Sequence, residues 1–534
     1  MNRFLTLAAG IGVALAAGIA PAANPPKELR FALSGDPLTF DPLQAADSNS
    51  ETVRYLTAGV LVRVNRATDS VEPELAESWK LTDGGRTLTF HLRDGLKFSD
   101  GSPLTAADVG NTIARALDPK QASPTGDTIR TAEGTPEIRL LSIRDIAIRY
   151  KTPMPGLDRL FDQVGIAPAP LAKGTAKLPV SAGPFFIAGY KPGVSVTLQR
   201  NPNYWKRGLP GIDSVRLDIQ QNRDLEIARF LRGELHLINR LDPGNFDRLT
   251  REKPGTARNL GASLDSEFLW FNQSPAKTLP EWKRQWFRSA AFRHAVSLAI
   301  HRDDLVRIAW KGHAHLSAGP ISTANKFWFN TALKPLPADP QQSLKLLAAD
   351  GFVLREGMLR DRGGHPVEFS LITNAGNRAR ENMGRLIQED LKKLGIHLNF
   401  VPLEFGSLIE RISKSLDYEA CLLGFANVDP DPLAEKNYWL SSGPQHFWWP
   451  LEKTPATKWE ARIDELELKQ ASEGSRESRK KASDEIQRII VSEEPVIYLV
   501  NPDYLCAIST SVHGAMPSVA PPQLLWNIEW LRLQ

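Results

Sequence analysis

Apolar residues alternate with polar ones at Trp79 and Leu81 and again at Leu88, Phe90 and Leu92, with Asp83-Gly84-Gly85 between the two runs. A period of two turns one face of a strand into a core, and Asp-Gly-Gly supplies the positive-φ residues of a tight turn, so a β-hairpin is predicted. Asp94-Gly95 and Asp100-Gly101 mark further turns. Thr105, with Asp108 three residues on, reads as the N-cap and capping-box partner of a helix over Ala106–Leu117, which Asp118-Pro119 ends. Leu29–Leu33 predicts a strand ahead of Ser34-Gly35-Asp36-Pro37. Phe185–Tyr190, the turn Pro192-Gly193, the alternation Val194, Val196, Leu198 and the run Val215, Leu217, Ile219 predict three more. Phe287–Val306 changes to a helical period and predicts one helix. A β-α-β unit follows. Val367, Phe369 and Leu371 alternate on a strand, and Met383, Leu386, Ile387, Leu391 and Leu394 recur at helical spacing within Arg378–Leu394. Gly395 stops the helix, and Ile396, Leu398 and Phe400 alternate on the return. Such a crossover implies a parallel strand pair.

A chain of 534 residues exceeds one ordinary core, so two or three domains are predicted. With 42% hydrophobic and 24% charged residues the composition is that of a globular protein, and a net charge of +4, small for this size, argues neither for nucleic acid nor for an anionic membrane surface as partner, and no nucleic acid is expected. Residues 1–23 form a secretory signal pattern: Arg3, an apolar run from Leu5 to Ile19, and Ala20-Pro21-Ala22 as a small-x-small cleavage site. A single N-terminal anchor is the competing reading, opposed by the short Gly/Ala-rich run and the lack of a basic stop-transfer. No cysteine stands near the cleavage site to carry a lipid. No later segment approaches about 18 consecutive apolar residues, so the mature chain is not expected to span a membrane. Cys421 and Cys506 could pair in an oxidising compartment, or be two buried small side chains on strands.

No HExxH, G-x-S-x-G, P-loop, G-x-G-x-x-G or CxxC motif is present. His313-Ala314-His315 has a spacing that can bind metal, but two histidines are short of a site, and a surface loop is expected there. Paired acids such as Glu493-Glu494 carry nothing that singles them out for acid–base work. The lack of a motif does not exclude an enzyme but removes every specific reason to propose one, and the chain is expected to be non-enzymatic and to need no cofactor.

The wording of Val71–Pro119, VEPELAESWKLTDGGRTLTFHLRDGLKFSDGSPLTAADVGNTIARALDP, closely resembles a signature of the extracytoplasmic solute-binding proteins of peptide/nickel ABC importers. Ser181–Ile219 resembles that family's "G-P-Y … V-x-L-x-R-N-P-x-Y-W" block. Gly233-Glu234-Leu235 resembles its "G-E-I-D" joint with His236 in place of the Asp, and Phe292–Arg302 its "F-R-x-A … A-I-D-R" helix. These matches run from about residue 29 to 505. The resemblance implies an α/β, two-lobed periplasmic-binding-protein fold with a hinged cleft, of the large three-subdomain type. Its division would be 24–50, 168–267 and 491–534 in the first lobe, 51–167 as an inserted subdomain, and 268–490 as the second lobe. It further implies a monomeric periplasmic protein that captures a small, peptide-like solute and delivers it to an ABC permease with its ATPase subunits.

The resemblance also implies a ligand site. Ala46, Asp47 and Ser48 lie near the ligand in relatives. Asp417–Pro450 resembles "D-Y-D-x-x-x-x-G-W-x-x-D-Y-x-D-P", where a strand end, here Gly424, Phe425 and Ala426, lies along the ligand backbone and a central Asp neutralises its α-ammonium group. A gap-free alignment on Gly424 and Asp431-Pro432 puts Val428 at that Asp and Phe425 at the usual Trp. Asp429 is adjacent, and strand alternation turns it to the other side unless a bulge restores it. The departure keeps a sugar-like solute or a metal chelate open beside a peptide, and Asp429 and Asp431 can equally be turn residues between prolines. Trp439, Trp448 and Trp449, in an aromatic run with Tyr438 and Phe447, read either as a stacking wall of the pocket or as loop packing. Trp270-Phe271-Asn272 falls at the expected hinge, and Lys326–Phe329 could line the cleft. An exported hydrolase and a regulatory protein on the same fold are the alternatives from other classes.

Overall fold

The computed structural model describes residues 27–534 apart from 122, 131–133, 154–155, 169–177, 276, 426–429, 451 and 474. The predicted hairpin is present: Ala76–Thr82 and Thr87–Leu92 pair antiparallel, Trp79 opposite Phe90 and Leu81 opposite Leu88, and Gly84 and Gly85 between them have φ of 65° and 88°. Leu88, Phe90 and Leu92 are buried, whereas Leu81 is 49% exposed, because its strand is the outer one of a four-stranded sheet. The Asp108 carboxylate accepts from the Thr105 backbone N (2.8 Å) and Oγ1 (3.0 Å), closing the start of helix Ala106–Leu117. Gly110 lets that helix sit close on Leu140 and Ile146 of the sheet. Sheet and helix enclose a core of their own that includes Phe98, Ile113 and Phe161.

A second, twelve-stranded sheet organises the rest. Its centre is the thirteen-residue strand Val496–Ile508, buried along its length apart from the half-buried Asp503. Burial on both faces accounts for its near-continuous apolar run. The first part of this strand pairs with Ser266–Phe271, and the last part with Leu237–Ile238 and Ala257–Ala262. Beyond Ser266–Phe271 the sheet continues through Ala420–Phe425, Glu368–Asn374 and His397–Leu403; beyond Leu237–Ile238 it continues through Glu28–Leu33, Ser214–Ile219, Ser195–Arg200 and Phe185–Lys191. Two cores divide accordingly. Ile497, Leu499 and Val500 pack with Phe271, Phe292 and Phe369, while Tyr504, Cys506 and Ile508 pack with Phe31, Val196 and Leu217. The change of core therefore falls at Asn501–Asp503. Residue 490, taken from the resemblance as the boundary, lies inside helix Arg476–Glu493.

Glu368–Asn374 and His397–Leu403 pair in parallel across helix Arg378–Lys392, with Met383, Ile387, Leu391 and Leu394 buried beneath it. The single helix expected over Phe287–Val306 is divided into Glu281–Arg288, Ala290–Ala299 and a π-turn at Leu305–Ala309. Ser289 is the cause of the first break: its backbone is extended and its Oγ accepts from Phe292 N at 3.2 Å, a serine acting as N-cap. Cys421 and Cys506 are free and buried, each on a strand and each in a different core, which keeps them from pairing. Among the described residues no helix is long and apolar enough to cross a membrane.

Candidate functional site

The strand Ala420–Phe425 keeps its full antiparallel register with Ser266–Phe271, from Ala420 opposite Phe271 to Phe425 opposite Ser266. On its other edge it pairs with Glu368–Asn374 only at Ala420 and Cys421. Thr373 Oγ1 still donates to the Leu422 carbonyl (2.8 Å), and beyond it the edge of Leu423, Gly424 and Phe425 has no ladder partner among the described residues.

Into this fork reaches a buried ion pair. Arg380, in the first turn of helix Arg378–Lys392, donates from Nε to Glu267 Oε2 (2.7 Å) and from NH2 to Glu267 Oε1 (2.8 Å). It also donates to Asn374 Oδ1. Both partners are more than nine-tenths buried. Burial works against the charged guanidinium, and the Glu267 carboxylate outweighs it and raises the Arg380 pKa. A shift of strand register between Glu267, opposite Val500, and Phe268, opposite Tyr498, marks the same place. Gly424 lies directly against the pair: a Cβ built there would be 2.3 Å from Arg380 NH2 and 2.5 Å from Glu267 Oε1.

The fork opens on a cavity of about 1160 Å³ lined from both halves of the sheet. Arg223, Arg240, Asp242 and Arg248 come from one half; Lys311, Asn377, Arg380, Gly424 and Phe425 come from the other. Its walls carry both signs of charge, partly paired, as in Arg240 with Asp265 across the change of core.

Phe425 also faces an aromatic recess on the opposite side. Its ring meets Tyr438 edge-on at 4.4 Å, Tyr438 stacks on Phe447 at 4.8 Å, and Phe447 meets Phe268 at 5.1 Å. Ser266, Glu435 and Tyr498 complete the recess, whose free volume of about 10 Å³ admits roughly one water. Burial, and then the charge of Glu435, push the Tyr438 phenol up to about 12.

A third cavity, of about 410 Å³, lies where the hairpin domain meets helix Arg476–Glu493. Asp69 receives Arg159 from its own side (2.5 Å) and Arg476 from the other (2.6 Å). The Arg476 guanidinium lies 4.0 Å from the centre of the Phe327 ring, and Arg479 lies 4.9 Å from that of Trp328. Of Lys326–Phe329, Trp328 lines this cavity.

The residues expected to hold a ligand are distributed as follows. Gly424 and Phe425 line the large cavity. Ala426, Val428 and Asp429 lie outside the described residues. Asp47 caps helix Ser48–Thr57, its Oδ1 accepting from Asn49 N (3.0 Å) and Ser50 N (2.9 Å); it does not line the large cavity, nor do the exposed Ala46 and Ser48. Trp439 and Trp448 are 5% and 1% exposed, inside the core behind the recess, a position that supports its wall and does not form it. Trp449 is partly buried, with the Arg288 guanidinium 5.2 Å from its ring. Asp431 binds Arg479. His313 and His315 are separated by their partners: Asp247 for the first and Asp503 for the second, each at 3.1 Å. Their segment is not a loop, because Ala314–Leu316 pairs with Val500–Pro502. The Glu267–Arg380 pair and the Asp69–Arg476 contact join residues 113 and 407 positions apart, and no local pattern announces either.

Residues 70–447 match the bacterial extracellular solute-binding proteins, family 5 (middle region). The chain belongs to this family. It is 27% identical over 409 residues to a probable ABC transporter-binding protein of Deinococcus radiodurans, covering 69% of this chain and 67% of that one. It is 24% identical over 519 residues to the oligopeptide-binding protein AppA of Bacillus subtilis, covering 93% and 90%. The structure of that AppA in complex with a nonapeptide is similar with a TM-score of 0.74, over 96% of this chain and 100% of that one at 23% identity. NikA from Brucella suis in complex with Fe(III)-EDTA gives a TM-score of 0.80 over 95% and 100% at 20% identity. The fold of this solute-binding protein is thus the two-lobed α/β fold of its relatives.

Proposed function

We propose that this protein captures a peptide or peptide-like solute between its lobes, at the splayed edge of Leu423–Phe425, and delivers it to an ABC permease driven by ATPase subunits. One observation carries the reading: an unpaired strand edge opens on a cavity of about 1160 Å³ whose walls come from both lobes and bear both signs of charge. An extended peptide adds to such an edge through its backbone, and a zwitterion finds counter-charges on either side. The cavity exceeds the roughly 300–1,000 Å³ typical of single small molecules. The nonapeptide held by AppA supports the same solute class.

In this reading the inserted subdomain runs from 51 to 167, and the lobes join where Val496–Ile508 passes from Ser266–Phe271 to Ala257–Ala262, at 263–266 and 501–503. Hinge bending there closes the cleft, and the solute favours the closed state by contacting both lobes. Gly424 and Phe425 touch the solute; Val428 and Asp429 are the next candidates. Export through residues 1–23 places the protein in the periplasm as a monomeric carrier that returns its solute unchanged.

A metal chelate is the second reading. Arg223, Arg240, Arg248, Lys311, Arg378 and Arg380 around one cavity suit a polycarboxylate complex, and NikA holds one. The test is mass spectrometry of small molecules released by denaturing protein taken from its native periplasm. Peptides in the extract support the first reading. A metal–carboxylate complex without peptides selects the second.

A further inference from the structure

We propose that His446, Glu452 and Glu460 form a binding site for a divalent cation of the zinc class inside the second lobe, apart from the solute cleft. One donor atom from each side chain lies within 4.8 Å of the others, and all three residues are buried, at 0%, 3% and 3% exposure. The donor set is one imidazole and two carboxylates, a combination that zinc accepts with a water as fourth ligand.

Each donor is prepared for a cation by its surroundings. His446 Nδ1 lies 3.1 Å from the Tyr438 carbonyl oxygen, so Nδ1 carries the proton and donates it there. That tautomer leaves the Nε2 lone pair bare, the arrangement in which a backbone carbonyl orients a metal-binding histidine. Nε2 has no hydrogen-bond partner among the described residues and stands 4.0 Å from Glu460 Oε1. The Glu460 carboxylate is held in place by Trp448 Nε1 (2.9 Å) on Oε1 and by Thr457 N and Oγ1 (2.8 Å each) on Oε2. The Glu452 carboxylate has no side-chain hydrogen-bond partner among the described residues, with only the backbone N–H of Ala456 turned toward it. A bare imidazole nitrogen and two carboxylates converging away from water repel one another, and a buried charge needs a counter-charge or a coordinating ion. Among the described residues no lysine or arginine pairs with Glu452 or Glu460. A tetrahedral cation with bonds of about 2.0–2.2 Å sets its donors roughly 3.4 Å apart, so side-chain movements of less than about 1 Å complete the shell.

The ion would tie the segment carrying His446 and Glu452 to helix Lys458–Ser472, which carries Glu460. Phe447 and Trp448 lie in that segment, so the metal would brace the aromatic recess from behind.

The test uses the mature protein without a histidine tag, loaded with ZnSO4 and dialysed against metal-free buffer. About one zinc per chain remains by elemental mass spectrometry, and the unfolding temperature rises by several degrees over the chelator-treated protein. Glu452→Gln preserves size and fold while weakening retention by about tenfold or more, and His446→Ala abolishes it. Failure of the wild type to retain zinc, or equal retention by wild type and Glu452→Gln, overturns the proposal, and neither result depends on which solute the cleft binds.

Discussion

At the scale of single residues, Gly424 shows how one missing methyl group shapes the cleft. Its φ is not in the left-handed region, so the backbone there tolerates any residue; the space does not. Gly424→Ala should push Arg380 off Glu267, and both groups are buried. Removing one partner of a buried ion pair costs about 3–5 kcal/mol, which is the ceiling for a pair that is displaced and kept, so the variant should lose up to about that much in urea unfolding and should bind its solute at least about tenfold more weakly by calorimetry. Unchanged unfolding with an intact pair in a crystal structure would show that the side chains yield freely. Glycine at this position was legible as part of a motif. Its reason was not, because it depends on two residues, Glu267 and Arg380, that are remote in sequence and meet only when the strands splay.

At the scale of elements, local chemistry was legible wherever it was self-contained. The hairpin at Asp83-Gly84-Gly85, the Thr105–Asp108 cap and the β-α-β unit around Arg378–Lys392 are all short-range, and all are present. The helix expected over Phe287–Val306 failed at Ser289, where a capping side chain outcompetes an unbroken apolar period. The helix pair Lys458–Ser472 and Arg476–Glu493 carries a further consequence. Glu467 is 3% exposed; burial first, then the charges of Glu435 and Asp431, push its carboxyl up to about 8 from 4.5. The folded protein therefore holds a proton that the unfolded chain releases near 4.5. Between these values the folded state binds more protons, so stability is highest at the acid end and declines as pH rises through the window. At about 1.4 kcal/mol per pH unit the loss amounts to several kcal/mol. Glu467→Gln should flatten the dependence of unfolding temperature on pH between about 5 and 8 and raise stability most at pH 8. A variant whose pH profile parallels the wild type would refute the assignment.

At the scale of the whole molecule, Asp69 and Arg476 join the unit built on the Ala76–Leu92 hairpin to helix Arg476–Glu493, which in the proposed division are the inserted subdomain and the second lobe. Both side chains are roughly two-fifths exposed, so the bond is weak, about 0–1 kcal/mol, and screened by salt. If the lobes close as proposed, a contact between these two units would bias the open–closed equilibrium. Arg476→Ala should increase the radius of gyration of the solute-free protein in X-ray scattering at low salt, and the difference should fade by about 0.5 M NaCl, where screening already silences the wild-type contact. Equal radii at low salt would remove Asp69–Arg476 from the closing device. The strand Val496–Ile508 acts on a longer clock. It sits at the centre of the large sheet and supplies both cores, yet it is among the last elements in the chain. Contacts so distant in sequence form slowly. A nascent chain cannot finish either lobe until residue 496 has been made, and a chain cut short before that point leaves two half-built sheets with facing edges. Both cores thus depend on one late-synthesised strand, and a chain truncated before residue 496 should be digested by protease faster than the full chain.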